Sequence, residues 1–104
     1  MELGKIIKLL AKKRGMTQKA LAEEVGKSTT SISQIVNGSF NPSPATLSRI
    51  AEVLEVPVPI LHFLSLSEED IPAEKKEAFK NLYPAIVESL ASLFGKDYRN
   101  ILNE

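Results

Sequence analysis

The chain has 104 residues, 43% of them apolar and 25% charged, with 13 Lys plus Arg matched by 13 Asp plus Glu. That size and balance describe one ordinary globular domain with at most an appendage, and they exclude wholesale disorder. There is no cysteine, which excludes disulfides, thiolate metal sites and a cysteine nucleophile and suits a cytoplasmic protein.

Leu3, Ile6, Ile7 and Leu10 recur at the spacing of one helical face, while Lys5, Lys8, Lys12 and Lys13 lie off it. Gly15 stops this first helix. Thr17 suits an N-cap, and Leu21, Ala22 and Val25 supply the apolar side of a second helix that Gly26 ends. Ser28 then caps a third helix carrying Ile32, Ile35 and Val36, closed by Gly38. Residues 39–44 are dense in turn formers. Ser43 with Pro44 opens a fourth helix, whose face is Leu47, Ile50, Ala51 and Leu54. Pro57 and Pro59 are expected to break the chain before a short helix with Ile60, Leu61, Phe63 and Leu64. No segment alternates with period two, so residues 1–66 read as five short helices.

Ser67 begins an acidic stretch of Glu68, Glu69 and Asp70, placed where a helix start favours carboxylates. Residues 73–94 have a helical pattern that Pro84 is expected to kink or divide near Tyr83. Gly95 closes it, and Tyr98, Ile101 and Leu102 suit one last amphipathic turn. Phe79, Leu82, Ile86, Leu90 and Leu93 recur at intervals of three and four, a stripe close to heptad period. Residues 67–104 are too few to bury such a surface unaided.

The third helix has the most informative face. At about 100° per residue, Thr29, Thr30, Ser33, Gln34 and Asn37 gather on one side, with Ser31, Ile32, Ile35 and Val36 on the other. The first group is wholly polar yet uncharged, a set of short hydroxyls and amides able to meet base edges in a major groove.

At this point the chain resembles the lambda-repressor-like (Cro-type or XRE-type) helix-turn-helix DNA-binding domains. The matching pieces are Thr17-Gln18, Leu21-Ala22, Val25-Gly26, Ser28, Ile32, Ile35 and Gly38. The Pro42/Pro44 loop, Leu47, Ile50-Ala51 and Leu54-Glu55-Val56 continue the match. The resemblance spans residues 3–65 and implies an all-α, five-helix DNA-binding bundle followed by a helical C-terminal extension. It implies base contacts from Thr29, Thr30, Ser33 and Gln34, and sugar-phosphate contacts from Gln18, Ser28, Asn37 and Ser39.

The chain departs from the family pattern in two ways. The reading face lacks Arg and Lys, so the commonest guanine contact is missing and a preference for A·T pairs is expected. Many relatives join the first and third helices through a buried Arg–Glu pair, where this chain has Ala11 and Val36. An apolar pair there is expected to be neutral or stabilising, and a single charge such as Val36→Glu to be strongly destabilising.

Other features have plainer explanations. Lys12, Lys13 and Arg14 suit a helix C-terminus, Arg49 a solvated surface, and His62 packing or surface. One histidine without cysteine cannot build a recognisable zinc site, so no metal and no cofactor are expected. Neither a catalytic constellation nor a Gly-rich phosphate loop is present, so no enzyme activity is expected. No apolar run reaches the ~18 residues of a membrane span, and residues 1–5 do not begin a secretory signal.

The expectation is a DNA-binding domain over residues 1–66 and a helical arm over 67–104. Its function would be that of a transcriptional regulator, a repressor, that reads a palindromic operator in double-stranded DNA with helix 28–37. Phe79, Leu82, Ile86, Leu90 and Leu93 would hold a homodimer, the other course for that stripe being to fold back on the helix bundle. The alternative is an antitoxin-like interaction protein whose arm binds another protein. The charge balance agrees once it is divided. Residues 1–66 have eight cations and five anions, giving +3, and residues 67–104 have five and eight, giving −3. The zero total therefore does not count against nucleic acid.

Overall fold

A computed structural model describes residues 2–95, and every regular element among them is helical. Tyr98, Ile101 and Leu102, the expected last turn, lie outside the described residues. The chain divides into two compact units, Met1–Ser65 and Leu66–Glu104.

The first unit has five helices: α1 (Leu3–Lys13), α2 (Gln18–Val25), α3 (Thr29–Val36), α4 (Pro44–Leu54) and α5 (Val58–Leu64). Each is too short to persist alone, so their shared apolar core is what makes them helical. α1 touches all four others, and α2 packs on α3 and α4. The core is Ile6, Ile7, Leu21, Ile32, Ile50, Leu54, Leu61 and Leu64, each essentially inaccessible to water. Leu9 is also buried, a position outside the face traced by the simple helical spacing.

The helix starts follow the sequence closely. Thr17, Ser28 and Ser43 each accept a hydrogen bond from the backbone N–H three residues on, at 3.0, 3.0 and 3.2 Å. Pro59 behaves differently from expectation. It does not break the chain but lies in the first turn of α5, where its missing N–H had no intrahelical partner to lose. Glu55 ends α4 in the left-handed region at φ 58. The next residue holds it there: Val56 N–H donates to the Ala51 carbonyl at 3.0 Å and its side chain is buried.

Two long-range contacts were invisible to periodicity. The Arg49 guanidinium donates to the Glu24 carbonyl at 3.0 Å and to Glu52 Oε1 at 3.0 Å, tying α4 to the end of α2. Arg49 is thus a cross-helix tie and not simply a solvated side chain. Gly4, in the first turn of α1, passes directly over the end of α3. A Cβ there would lie 2.4 Å from the Ile35 carbonyl oxygen and 2.5 Å from that of Val36. The Ala11/Val36 pair is less enclosed than expected, since Ala11 is buried but Val36 only half-buried. A Glu at position 36 has a path to water, so its cost is smaller than that of a fully buried charge.

In the second unit, two 3-10 turns, Glu68–Asp70 and Ala73–Lys75, lead into α6 (Lys76–Phe94). Asp70 has the capping role expected of the acidic stretch, accepting from Ser67 N–H at 3.0 Å. Glu68 pairs with Lys80 at 3.3 Å across exposed surface. Pro84 does not divide the helix: α6 runs unbroken through it for 19 residues. Phe79 and Tyr83 face one another with ring centroids 5.2 Å apart, and burial pushes the Tyr83 hydroxyl pKa up from its ordinary value.

Backbone carbonyls cannot step aside for a methyl group as a flexible side chain can. Gly4→Ala should therefore lower unfolding stability by about 2 kcal/mol, the usual scale of overpacking. Chemical denaturation compared with the exposed control Lys5→Ala is the measurement.

Candidate nucleic-acid interface

Residues 17–40 form one continuous device. Thr17 caps α2, and Gly26 closes it in the left-handed region at φ 84, where a side chain would be strained. The N–H groups of Gly26 and Lys27 both return to the Ala22 carbonyl, at 2.9 and 3.0 Å, so the chain turns sharply without leaving those donors bare. Ser28 then starts α3. Its hydroxyl accepts from Ser31 N–H at 3.0 Å and donates to Ser31 Oγ at 2.9 Å.

Burial sets the orientation of α3. Ile32 and Ile35 are 1% and 4% exposed. Thr29, Thr30, Gln34 and Asn37 face water, and Ser33 is half-buried at the margin of that face. The described residues show no hydrogen bond or ion pair from the side chains of Thr29, Thr30, Ser33 or Gln34. Their hydroxyls and amide remain available to a ligand.

The residues expected to meet sugar and phosphate are placed less uniformly. Ser28 and Ser39 are exposed, and Gln18 is half-buried at the first position of α2. Two of the four already have internal work. Ser28 is the α3 cap, and Asn37 Oδ1 accepts from Ser39 N–H at 2.9 Å, which leaves the Asn37 amide NH2 as its outward donor.

Phe40 is 59% exposed, yet its N–H donates to the Gln34 carbonyl at 3.1 Å. With Gly38 N–H bound to the Ile35 carbonyl, the loop after α3 is laced to the helix it leaves. Phe40 also walls an open cleft of about 290 Å³ with Leu3, Gly4, Ile35 and Pro42. The charged side chain lining that cleft is the anionic Glu2, which suits no phosphate. The signal for this region was the turn-rich run from Ser39 to Pro44, which marked a loop but not its tethers.

Among the described residues, no group of three or more His, Cys, Asp or Glu side chains is placed to hold a metal ion. No described helix is long and apolar enough to cross a membrane.

Comparison with known proteins points to the same stretch. A family described as Helix-turn-helix matches residues 7–61, a little over half of the chain. The ImmF control region 10 kDa protein of Bacillus phage phi105 is 38% identical over 60 residues, covering 58% of this chain and 67% of that protein.

The bonds above separate residues that hold α3 from residues it presents. Ser28→Ala should cost about 1 kcal/mol of folding stability through loss of the cap. Thr30→Ala should stay within about 0.5 kcal/mol of the parent, as an exposed and unbonded position does. Urea titrations of both variants check the contrast.

Proposed function

The chain belongs to the helix-turn-helix family in its lambda-repressor-like form, and from that premise we propose that it is a sequence-specific transcriptional regulator acting as a repressor. One observation carries the proposal: α3 buries Ile32 and Ile35 and turns an uncharged, unengaged polar face outward. Such a face suits a major groove, where hydroxyls and amides meet base edges. The control-region name of the phage relative supports a regulatory role.

In this reading Thr29, Thr30, Ser33 and Gln34 contact bases. Gln34 carries both an amide donor and an amide acceptor, the pair that matches adenine N7 and N6. The Thr methyls suit the thymine methyl. Gln18 at the start of α2 holds a phosphate with help from the helix N-terminus. Ser28, Asn37 and Ser39 contact the adjoining backbone and set register. Because Ser28 and Asn37 also hold local structure, the contacts they make arrive already oriented.

Two copies on a palindromic operator complete the mechanism, with recognition helices one helical turn of DNA apart, roughly 34 Å. The 67–104 arm is the dimerisation element in this reading. Repression follows from occupying an operator that overlaps a promoter, and no catalytic step is involved. With only +3 on the first 66 residues, non-specific affinity is modest and pairing supplies much of the strength.

Selection of bound duplexes from a random pool should return a palindrome with A·T pairs at the positions read by Gln34 and Thr30. Recovery of strict G·C there would refute the assignment of those contacts. Gln34→Ala should weaken the selected site by about ten- to a hundredfold and relax one position of it. Gln18→Ala should weaken selected and random duplexes alike and leave the salt dependence unchanged, because a neutral amide displaces no counterion. Electrophoretic mobility shifts over a salt series read both.

A further inference from the structure

The stripe on α6 is not one surface. Leu82, Ile86 and Leu93 are 57%, 41% and 78% exposed. Phe79 and Leu90 are half-buried beside them, and Val87 is fully buried. At about 100° per residue, Leu82, Ile86 and Leu93 form a narrow outward line. Ala78, Ala85 and Ser89 flank it and are also exposed. The four charged residues of α6 after its first turn begins, Lys76, Glu77, Lys80 and Glu88, all fall on the other side of the wheel. An uncharged, largely apolar arc facing water along a helix about 28 Å long is a surface built for contact.

We infer that this arc pairs with the same arc of a second copy, the two α6 helices running antiparallel about a two-fold axis between Ala85 and Ile86. Several independent features favour a second copy of this chain. In that register Leu82 lies level with Ser89 of the second copy and Leu93 with Ala78, so the leucines meet small residues, while at the axis Ile86 packs on Ile86 and Ala85 on Ala85. An isologous contact requires this kind of self-complementarity, because every pair off the axis occurs twice. Parallel pairing would instead set Leu82 on Leu82 and Leu93 on Leu93. Absence of charge on the arc also means that two identical faces meet without like-charge repulsion. Finally, the one polar group at the centre is already satisfied, since the Ser89 hydroxyl donates to the Ala85 carbonyl of its own helix at 3.1 Å. Burying it leaves no bare donor.

The inference rests on the reading of the protein as a two-subunit regulator and names the surface that reading needs. The native chain has no cysteine, so single-cysteine variants of the full chain report the pairing directly. Ala85→Cys should form a covalent dimer under mild oxidation, because the two copies of that position lie within about one residue of each other along the axis. Ala78→Cys should remain uncrosslinked, its two copies being roughly 22 Å apart along antiparallel helices. Ile86→Lys should weaken self-association by at least about tenfold in sedimentation, with helix content unchanged by circular dichroism.

Equal crosslinking at positions 78 and 85 would overturn the antiparallel register. A sedimenting dimer that does not crosslink at position 85 would move the contact to another surface. A parent chain that sediments as a monomer at tens of micromolar would overturn the inference outright. Failure of the functional reading looks different, because a parent that dimerises and crosslinks as expected but selects no DNA would leave this contact standing.

Discussion

An eight-residue helix has almost no stability of its own, and everything α3 presents depends on what holds it. Ile32 and Ile35 supply that hold by entering a core shared with α1 and α2. Burial of that pair sends Thr29, Thr30 and Gln34 to the opposite side, so packing and presentation are one choice. The remaining anchors act at the ends. Ser28 fixes where the helix begins, and the Gly38 and Phe40 N–H groups fix how it finishes. Gly4 allows α1 to press against the terminal carbonyls closely enough to exclude any side chain between them.

What periodicity could reveal was whatever depends on residues close in sequence. Each capping serine or threonine declared itself by type and position, and Gly26 marked the turn, because caps and turns are local chemistry. The same holds for the polar face of α3, which follows from spacing alone. Contacts between distant residues left no such trace. Arg49 looks like any exposed cation until α4 is laid beside α2 and Glu24 comes within reach, 25 positions away. Gly4 looks like a poor helix former in a first turn; the hint was a glycine tolerated there at all. Pro59 suggests a break and Pro84 a kink or a division, because proline removes a backbone N–H. Pro59 lies where that donor is spare, and α6 continues through Pro84.

The extension shows the same limit in another form. A stripe of five apolar residues was legible, but its division was not. Val87, which lies beside the stripe, is the fully buried residue, while Leu82, Ile86 and Leu93 face water. Residues at three- and four-residue intervals share a side of a helix only to within some tens of degrees, and burial divides such a band sharply. The charges follow the division, since Lys80 is engaged with Glu68 on the side away from the exposed arc. The opposed charges of the two halves have a similar logic: a mildly basic first unit and an acidic second keep phosphate attraction on the unit that carries α3.

Among the described residues of the first unit, no hydrogen bond uses the side chain of Thr29, Thr30, Ser33 or Gln34. The scaffold and the residues it displays are thereby uncoupled, so a substitution at any of the four alters what is displayed with little penalty to the scaffold. Under the proposed base contacts, a lineage carrying this fold can explore new recognition preferences one residue at a time without passing through unfolded intermediates. The same uncoupling makes the four positions a compact library for engineering, with the caps and Gly4 left untouched as the frame.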